Sequence, residues 1–221
     1  YISLGKLNLR LKRYEDARKN FQKAVELEPE NYQSHFYLAG FYMGEEDYES
    51  ALSSYKKAIA LKNDIPRFYV GLSNAMQALK SNDQAVSAME QAIRLDPRRA
   101  SYHLSQSHYA LRLGKDGLAS IRGIFYIRYK GWNDDSAPYA ALNAYFANRR
   151  ANNKAKADSI LMESLKYLDK EIWAYSIFKY LNKEKGWELQ GQYYAIIDEW
   201  RQWWRGNYAP FHCIKESGLD G

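Results

Sequence analysis

The apolar residues of the first hundred positions obey two periods at once. Ala17, Phe21 and Ala24 stand at i, i+4 and i+7, the spacing that lines one face of an α-helix. The trio returns as Ala51, Tyr55 and Ala58 and again as Ala85, Met89 and Ala92, each member 34 residues after its predecessor. Leu4, Leu38 and Leu72 keep the same register, each followed by a small residue (Gly5, Ala39 or Ser73), and so do Pro29, Asn63 and Pro97. A fixed period of this length marks a chain built from one repeated supersecondary unit.

Polar segments divide each unit. "KRYEDA", "GEEDYESA" and "KSNDQA" predict short turns between two antiparallel helices. Pro29 and Pro97 lack a backbone N–H and have a fixed φ, so each predicts the end of a second helix and the start of the next unit. Alanine at two of the three trio positions lets a neighbouring helix approach closely. Each unit therefore reads as a helical hairpin.

The order His35, Leu38-Ala39, Tyr42, Ala51, Tyr55 and Ala58 resembles the tetratricopeptide repeat, whose pattern runs large residue, Leu-Gly, aromatic, Ala, Phe, Ala and Pro. Asn8 and Met76 depart from it in the aromatic slot, and Asn63 departs in the proline slot. The resemblance implies an all-α, right-handed superhelical solenoid of antiparallel helix-turn-helix repeats, its first helices lining a concave groove. Carried over by position, that groove takes Ile2, Lys6 and Leu9 from the first unit and Gln33, Phe36, Gly40 and Met43 from the second. Arg67, Val70, Asn74 and Gln77 follow from the third, and Ser101, Leu104, His108 and Leu111 from the fourth. Such a mixture of apolar and amide side chains suits an extended or helical peptide of a protein partner. The family's clamp for a chaperone's terminal carboxylate wants Lys, Asn, Asn, Lys and Arg where this sequence has Ile2, Lys6, Tyr37, Arg67 and Gly71. That ligand is disfavoured, although Asn74 remains able to bond a peptide backbone.

Beyond Pro97 the pattern weakens. Ala119 follows Ala85 by 34 residues, yet the next two slots hold Gly123 and Tyr126. Here the apolar spacing predicts Ile121, Ile124 and Phe125 inward, with Arg122, Tyr126, Tyr129 and Lys130 nearer to solvent. Tyr139, Leu142 and Phe146, then Ala157, Leu161 and Ser164, predict a fifth hairpin with a turn about two residues longer. Trp173, Ile177 and Tyr180 predict the first helix of a sixth. The organisation is thus three well-matched repeats over 1–97, a divergent fourth over 98–131, a hairpin plus a following helix over 132–185, and an aromatic segment over 186–221. In that last segment Tyr193, Ile196, Ile197, Trp200 and Trp204 predict a helix that caps the solenoid or, alternatively, docks on a partner or forms a homodimer.

Charge changes the picture in one region. The chain carries a net charge of +6, but residues 1–97 and 151–221 are each balanced, so the whole excess falls in 98–150, where nine Lys and Arg face three Asp. Arg122, Arg128 and Lys130 form a candidate basic patch there, interleaved with aromatics in "SIRGIFYIRYKGW". A solvated helix face, an acidic protein partner and nucleic acid are the three readings of such a stretch. Nucleic acid is disfavoured, because neither a defined module nor a code repeated in each unit is visible.

Candidate chemistry is sparse. The chain holds no GxGxxG, GxxxxGK[ST], HExxH or GxSxG, so no cofactor and no catalytic group are expected. His103 and His108, five residues apart, point about 140° from each other on a helix and do not suit a shared metal. His212 and Cys213 are adjacent and diverge in the same way. Cys213 is the only cysteine, which mildly favours a reducing compartment and a cytoplasmic setting. The chain opens on Tyr1 without an initiator Met, so a periplasmic setting stays open. No run approaches the roughly 18 apolar residues that cross a bilayer. The expected function is a protein-interaction scaffold or adaptor, not an enzyme. The alternatives are a nucleic-acid-associated repeat protein using the 98–150 zone, and the regulatory or assembly part of a larger enzyme.

Overall fold

The computed structural model describes residues 1–184, and these form helices without a strand among them. In chain order they are α1 (Ile2–Arg10), α2 (Tyr14–Leu27), α3 (Tyr32–Gly44), α4 (Tyr48–Leu61), α5 (Pro66–Ala78) and α6 (Asn82–Leu95). Then come α7 (Ala100–Arg112), α8 (Asp116–Lys130), α9 (Ala137–Arg150), α10 (Lys154–Tyr167) and α11 (Trp173–Glu184). Successive helices pair into five antiparallel hairpins. The described residues divide into two compact units, the first over 1–96 and the second over 97–184. The expected capping helix and tail lie outside the described residues.

All five hairpin turns have one geometry. Lys12, Glu46, Lys80, Gly114 and Asn152 sit in the left-handed region, with φ between 58° and 74°, and the first four follow the 34-residue register. The next residue donates its N–H back over five residues: Arg13 to Asn8 O at 2.8 Å, Asp47 to Tyr42 O at 3.0 Å, Ser81 to Met76 O at 2.8 Å, Lys115 to Ala110 O at 2.9 Å and Asn153 to Asn148 O at 2.8 Å. This satisfies the last helical carbonyls by a Schellman motif, a task usually given to glycine, with a lysine or glutamate at three of the five positions.

A second repeated bond fixes the start of each unit. His35 Nε2 donates to Pro29 O at 2.7 Å, Tyr69 Oη to Asn63 O at 3.1 Å and His103 Nε2 to Pro97 O at 2.9 Å. These pairs are in register, so Asn63 ends its helix as effectively as the two prolines end theirs. Deeper in, Ser73 Oγ donates to Ala85 O and Ser107 Oγ to Ala119 O, both at 2.7 Å, which lets a buried hydroxyl sit at the helix crossing.

The first unit is knitted by large rings set against glycine. Phe21 and Tyr55 are fully buried, and a Cβ on Gly5 would come within 2.6 Å of the Phe21 ring, one on Gly71 within 2.4 Å of the Tyr55 ring. The second unit inverts the arrangement. Gly123 occupies the large slot and is closed over by α9, such that a Cβ there would lie 2.6 Å from Ala140 O. Tyr126 occupies the alanine slot and is 4% exposed, its hydroxyl donating to Asp134 Oδ1 at 2.5 Å. Asp134 also accepts from Ser136 N at 3.0 Å and so shapes the turn that leads into α9.

Three expectations are corrected by these contacts. On α8 the core face runs through Ala119, Ser120, Gly123, Tyr126 and Ile127, while Ile121 is 59% exposed. The repeat register, and not the local count of apolar residues, sets which face is buried. The fifth hairpin keeps a three-residue turn, and the added length lies instead in the link 131–136 between α8 and α9, six residues against four at the earlier links. On α11 the core face runs through Ala174, Phe178 and Leu181, with Ile177 half-buried. Of the expected fifth-hairpin residues, Leu142, Phe146, Ala157, Leu161 and Ser164 are buried and Tyr139 is half-buried.

Candidate peptide-binding face

In the first unit α3 lies beside α5, and Lys6 of α1 reaches α3, so the first helices of the three hairpins share one face. Along it Gln33, Met43, Arg67, Val70, Asn74 and Gln77 are half-buried, as are Ile2, Lys6, Leu9 and Gly40. Phe36 is different. It is 3% exposed, packed against Phe68 at 4.9 Å, Tyr37 at 5.5 Å and Tyr55 at 5.9 Å, and serves as the floor of the face.

Two cations flank that floor. Lys6 Nζ stands 5.3 Å over the Tyr37 ring, and the Arg67 guanidinium 5.1 Å over the Phe36 ring. Each is held by the attraction of a cation for an aromatic face and lies along the ring instead of extending into water. Position alone marked Lys6 and Arg67; the role of Tyr37 as a platform was not legible, since its slot in the repeat gives no hint of the lysine above it.

In the second unit the inner positions Leu104 and His108 are half-buried on α7, whereas Leu111 is 1% exposed and belongs to the core. Burial pushes the His108 imidazole down to about 4, and the nearby charge of Arg112 acts in the same direction. His103 is also lowered, chiefly by burial. Its Nε2–H is given to Pro97, and its Nδ1 accepts from Arg122 Nη1 at 3.4 Å. The ring stacks on Phe125 with centroids 3.9 Å apart.

The candidate basic residues sit in different surroundings. Arg122 is half-buried beside His103, Arg128 is exposed, and Lys130 pairs with Asp134 at 3.6 Å. Arg150 is committed to Asp116, with Nε bonded to its two carboxylate oxygens at 2.7 and 3.0 Å. Among the described residues no group of three or more His, Cys, Asp or Glu is placed to hold a metal ion, and no helix is long and apolar enough to cross a membrane.

Two tetratricopeptide repeat family models match the sequence, one over residues 2–65 and the other over 42–108. The repeats over residues 2–108 belong to the tetratricopeptide repeat family. A curated relative, the STIP1 homolog of Dictyostelium discoideum, is 29% identical over 116 residues, which is 52% of this chain and 21% of that protein. The chain thus spans about a fifth of that relative's length. Among solved structures, the MamA protein superposes with a TM-score of 0.68 at 19% identity, covering 75% of this chain and 88% of that one. YrrB, described as a tetratricopeptide repeat protein with an unusual peptide-binding site, gives 0.68 at 18% identity over 82% and 91% of the two chains. At these identities the likeness is one of fold. Tetratricopeptide repeats generally mediate protein–protein interaction, and residues 2–108 match them.

Proposed function

We propose that this protein is an adaptor that receives a peptide segment of a protein partner on the shared face of α1, α3 and α5. The observation that carries the reading is the division of labour between the helices. The second helices α2, α4 and α6 commit their trio residues to the core, each at most 6% exposed, while the first helices present half-buried amides, aliphatics and cations over an aromatic floor. A preformed face with partly exposed side chains loses little conformational entropy when an extended segment settles on it. The peptide-binding description attached to YrrB is consistent with this use of the fold.

Site-specific photo-crosslinking tests the reading. A photoreactive residue at Gln33 or Gln77 should capture a discrete partner, and the same residue at Ser53 or Ser87, exposed on α4 and α6, should capture none. Equal capture from both sets would show that the face has no special role.

A further inference from the structure

The first helices carry no carboxylate. α1, α3, α5, α7 and α9 together contain no Asp or Glu, whereas α2, α4, α6, α8 and α10 contain nine. Acidic residues elsewhere in the repeats sit in the turns and links. In the first unit this segregation leaves the shared face with Lys6 and Arg67 and no negative side chain on any helix that forms it. Neither cation is paired with a carboxylate among the described residues. Asp64, the carboxylate nearest Arg67 in sequence, pairs with Lys62 at 3.6 Å, and Arg18 pairs with Glu45 at 2.9 Å. The Arg67 Nε–H is buried and has no acceptor, an unmet donor at the edge of the face.

We infer that the face selects an acidic peptide, one whose carboxylate side chains meet Lys6 at one end and Arg67 at the other. This rests on the adaptor reading and specifies the chemistry of its partner. The two cations stand on consecutive rings of α3, Lys6 over Tyr37 and Arg67 over Phe36, with the ring centroids 5.5 Å apart. The three legs of that path set the greatest separation of the charges, and an extended segment of about five residues covers it. Half-buried Val70 and Gly40 on the same face add apolar surface beside the buried Phe36 ring. A carboxylate that displaces water from a cation resting on an aromatic ring forms a charge-assisted bond in a partly desolvated place, where charge complementarity chooses the partner and steers its approach. A basic segment meets two like charges and no counter-charge.

The test uses the full chain and labelled peptides of about ten residues, twice that span, blocked at both ends. An alternating Glu-Leu peptide should bind about tenfold or more tightly than its Gln-Leu counterpart, weakening as salt rises, and a Lys-Leu peptide should not bind. Lys6→Gln with Arg67→Gln should erase the preference for Glu over Gln, and Lys6→Glu with Arg67→Glu should transfer it to the Lys-Leu peptide, with helical circular dichroism unchanged. Equal affinity for the Glu and Gln peptides overturns the inference, as does a Glu preference that survives the double variants. Loss of binding through Arg128→Gln with Lys130→Gln instead would assign the effect to α8 and overturn it too. If only a peptide with a free terminal carboxylate binds, or if oligothymidine competes through Lys6 and Arg67, the ligand is not an acidic side-chain segment. Crosslinking from Gln33 and Gln77 with no charge preference leaves the adaptor reading intact and removes this inference alone.

Discussion

The two compact units solve one packing problem in opposite ways. Around Phe21 and Tyr55 the large side chain is on the second helix and the glycine that admits it is on a first helix, Gly5 or Gly71. Around α8 the glycine is on the second helix, and Ala140 and Ala144 of the following first helix close down on it. The volume removed at Gly123 returns three residues later as Tyr126, which fills a slot held by alanine in the first unit. Volume is conserved along the register while its position moves. Tyr126 brings a hydroxyl into the core with it, and Asp134, in a link two residues longer than the earlier ones, supplies the acceptor. Divergence in sequence thus leaves the helical hairpin unchanged and alters only which helix carries the bulk.

The largest effect that tests this contrast is expected at Gly123. Gly123→Ala drives a methyl into a backbone carbonyl and should cost about 2 to 3 kcal/mol, whereas Gly117→Ala on the same helix has open space and should gain about 0.5 to 1 kcal/mol from helix propensity. Thermal denaturation of the two variants decides it, and similar melting temperatures would mean that α9 is not closely seated on α8. In the first unit Gly71→Ala meets the buried Tyr55 ring and should cost about 1 to 2 kcal/mol, with Gly40→Ala, whose nearest neighbour is Tyr55 Oη at 4.0 Å, neutral or stabilising. Urea titration monitored by circular dichroism separates the pair.

Tyr126→Phe keeps the ring and removes the bond to Asp134, for a loss of about 1 kcal/mol. The change should vanish in an Asp134→Ala background, where the acceptor is gone. A separate test concerns pH. His108 is held down to about 4 in the fold against the ordinary imidazole value of 6.5, so the unfolded chain takes up a proton first as pH falls. Stability is therefore highest above about pH 6.5 and falls progressively toward about pH 4, by on the order of 3 kcal/mol. His108→Gln should flatten the dependence of unfolding free energy on pH across that window, and an unchanged slope would place the titration on another group.

Much of this architecture is legible in the residues alone, because a 34-residue register constrains every slot several times over. Ala17, Ala51 and Ala85 predict the helix crossings, and the buried face of α8 follows the same register through Ala119, Gly123 and Tyr126, against the expectation that set Tyr126 nearer to solvent. Reading that helix by local hydrophobicity fails, since Ile121 is apolar but has no helix to pack against. The turns were less visible. Lys12, Glu46 and Lys80 carry no sign of a left-handed conformation, which the five-residue back-bond imposes on them. Of the binding face, positions such as Gln33, Asn74 and Gln77 follow from the register, but the pairing of Lys6 with Tyr37 and of Arg67 with Phe36 does not. Those contacts join neighbouring hairpins, and a period within one unit says nothing about which side chains meet across two.

The account holds that first helices recognise and second helices pack, and hydrogen exchange in the full chain measures this most directly. In the presence of the alternating Glu-Leu peptide, slowed exchange is predicted on α1, α3 and α5, with α2, α4 and α6 unchanged, and the slowing should disappear when Lys6 and Arg67 are both replaced by glutamate. Protection appearing on α2, α4 or α6, or persisting in that double variant, would contradict it.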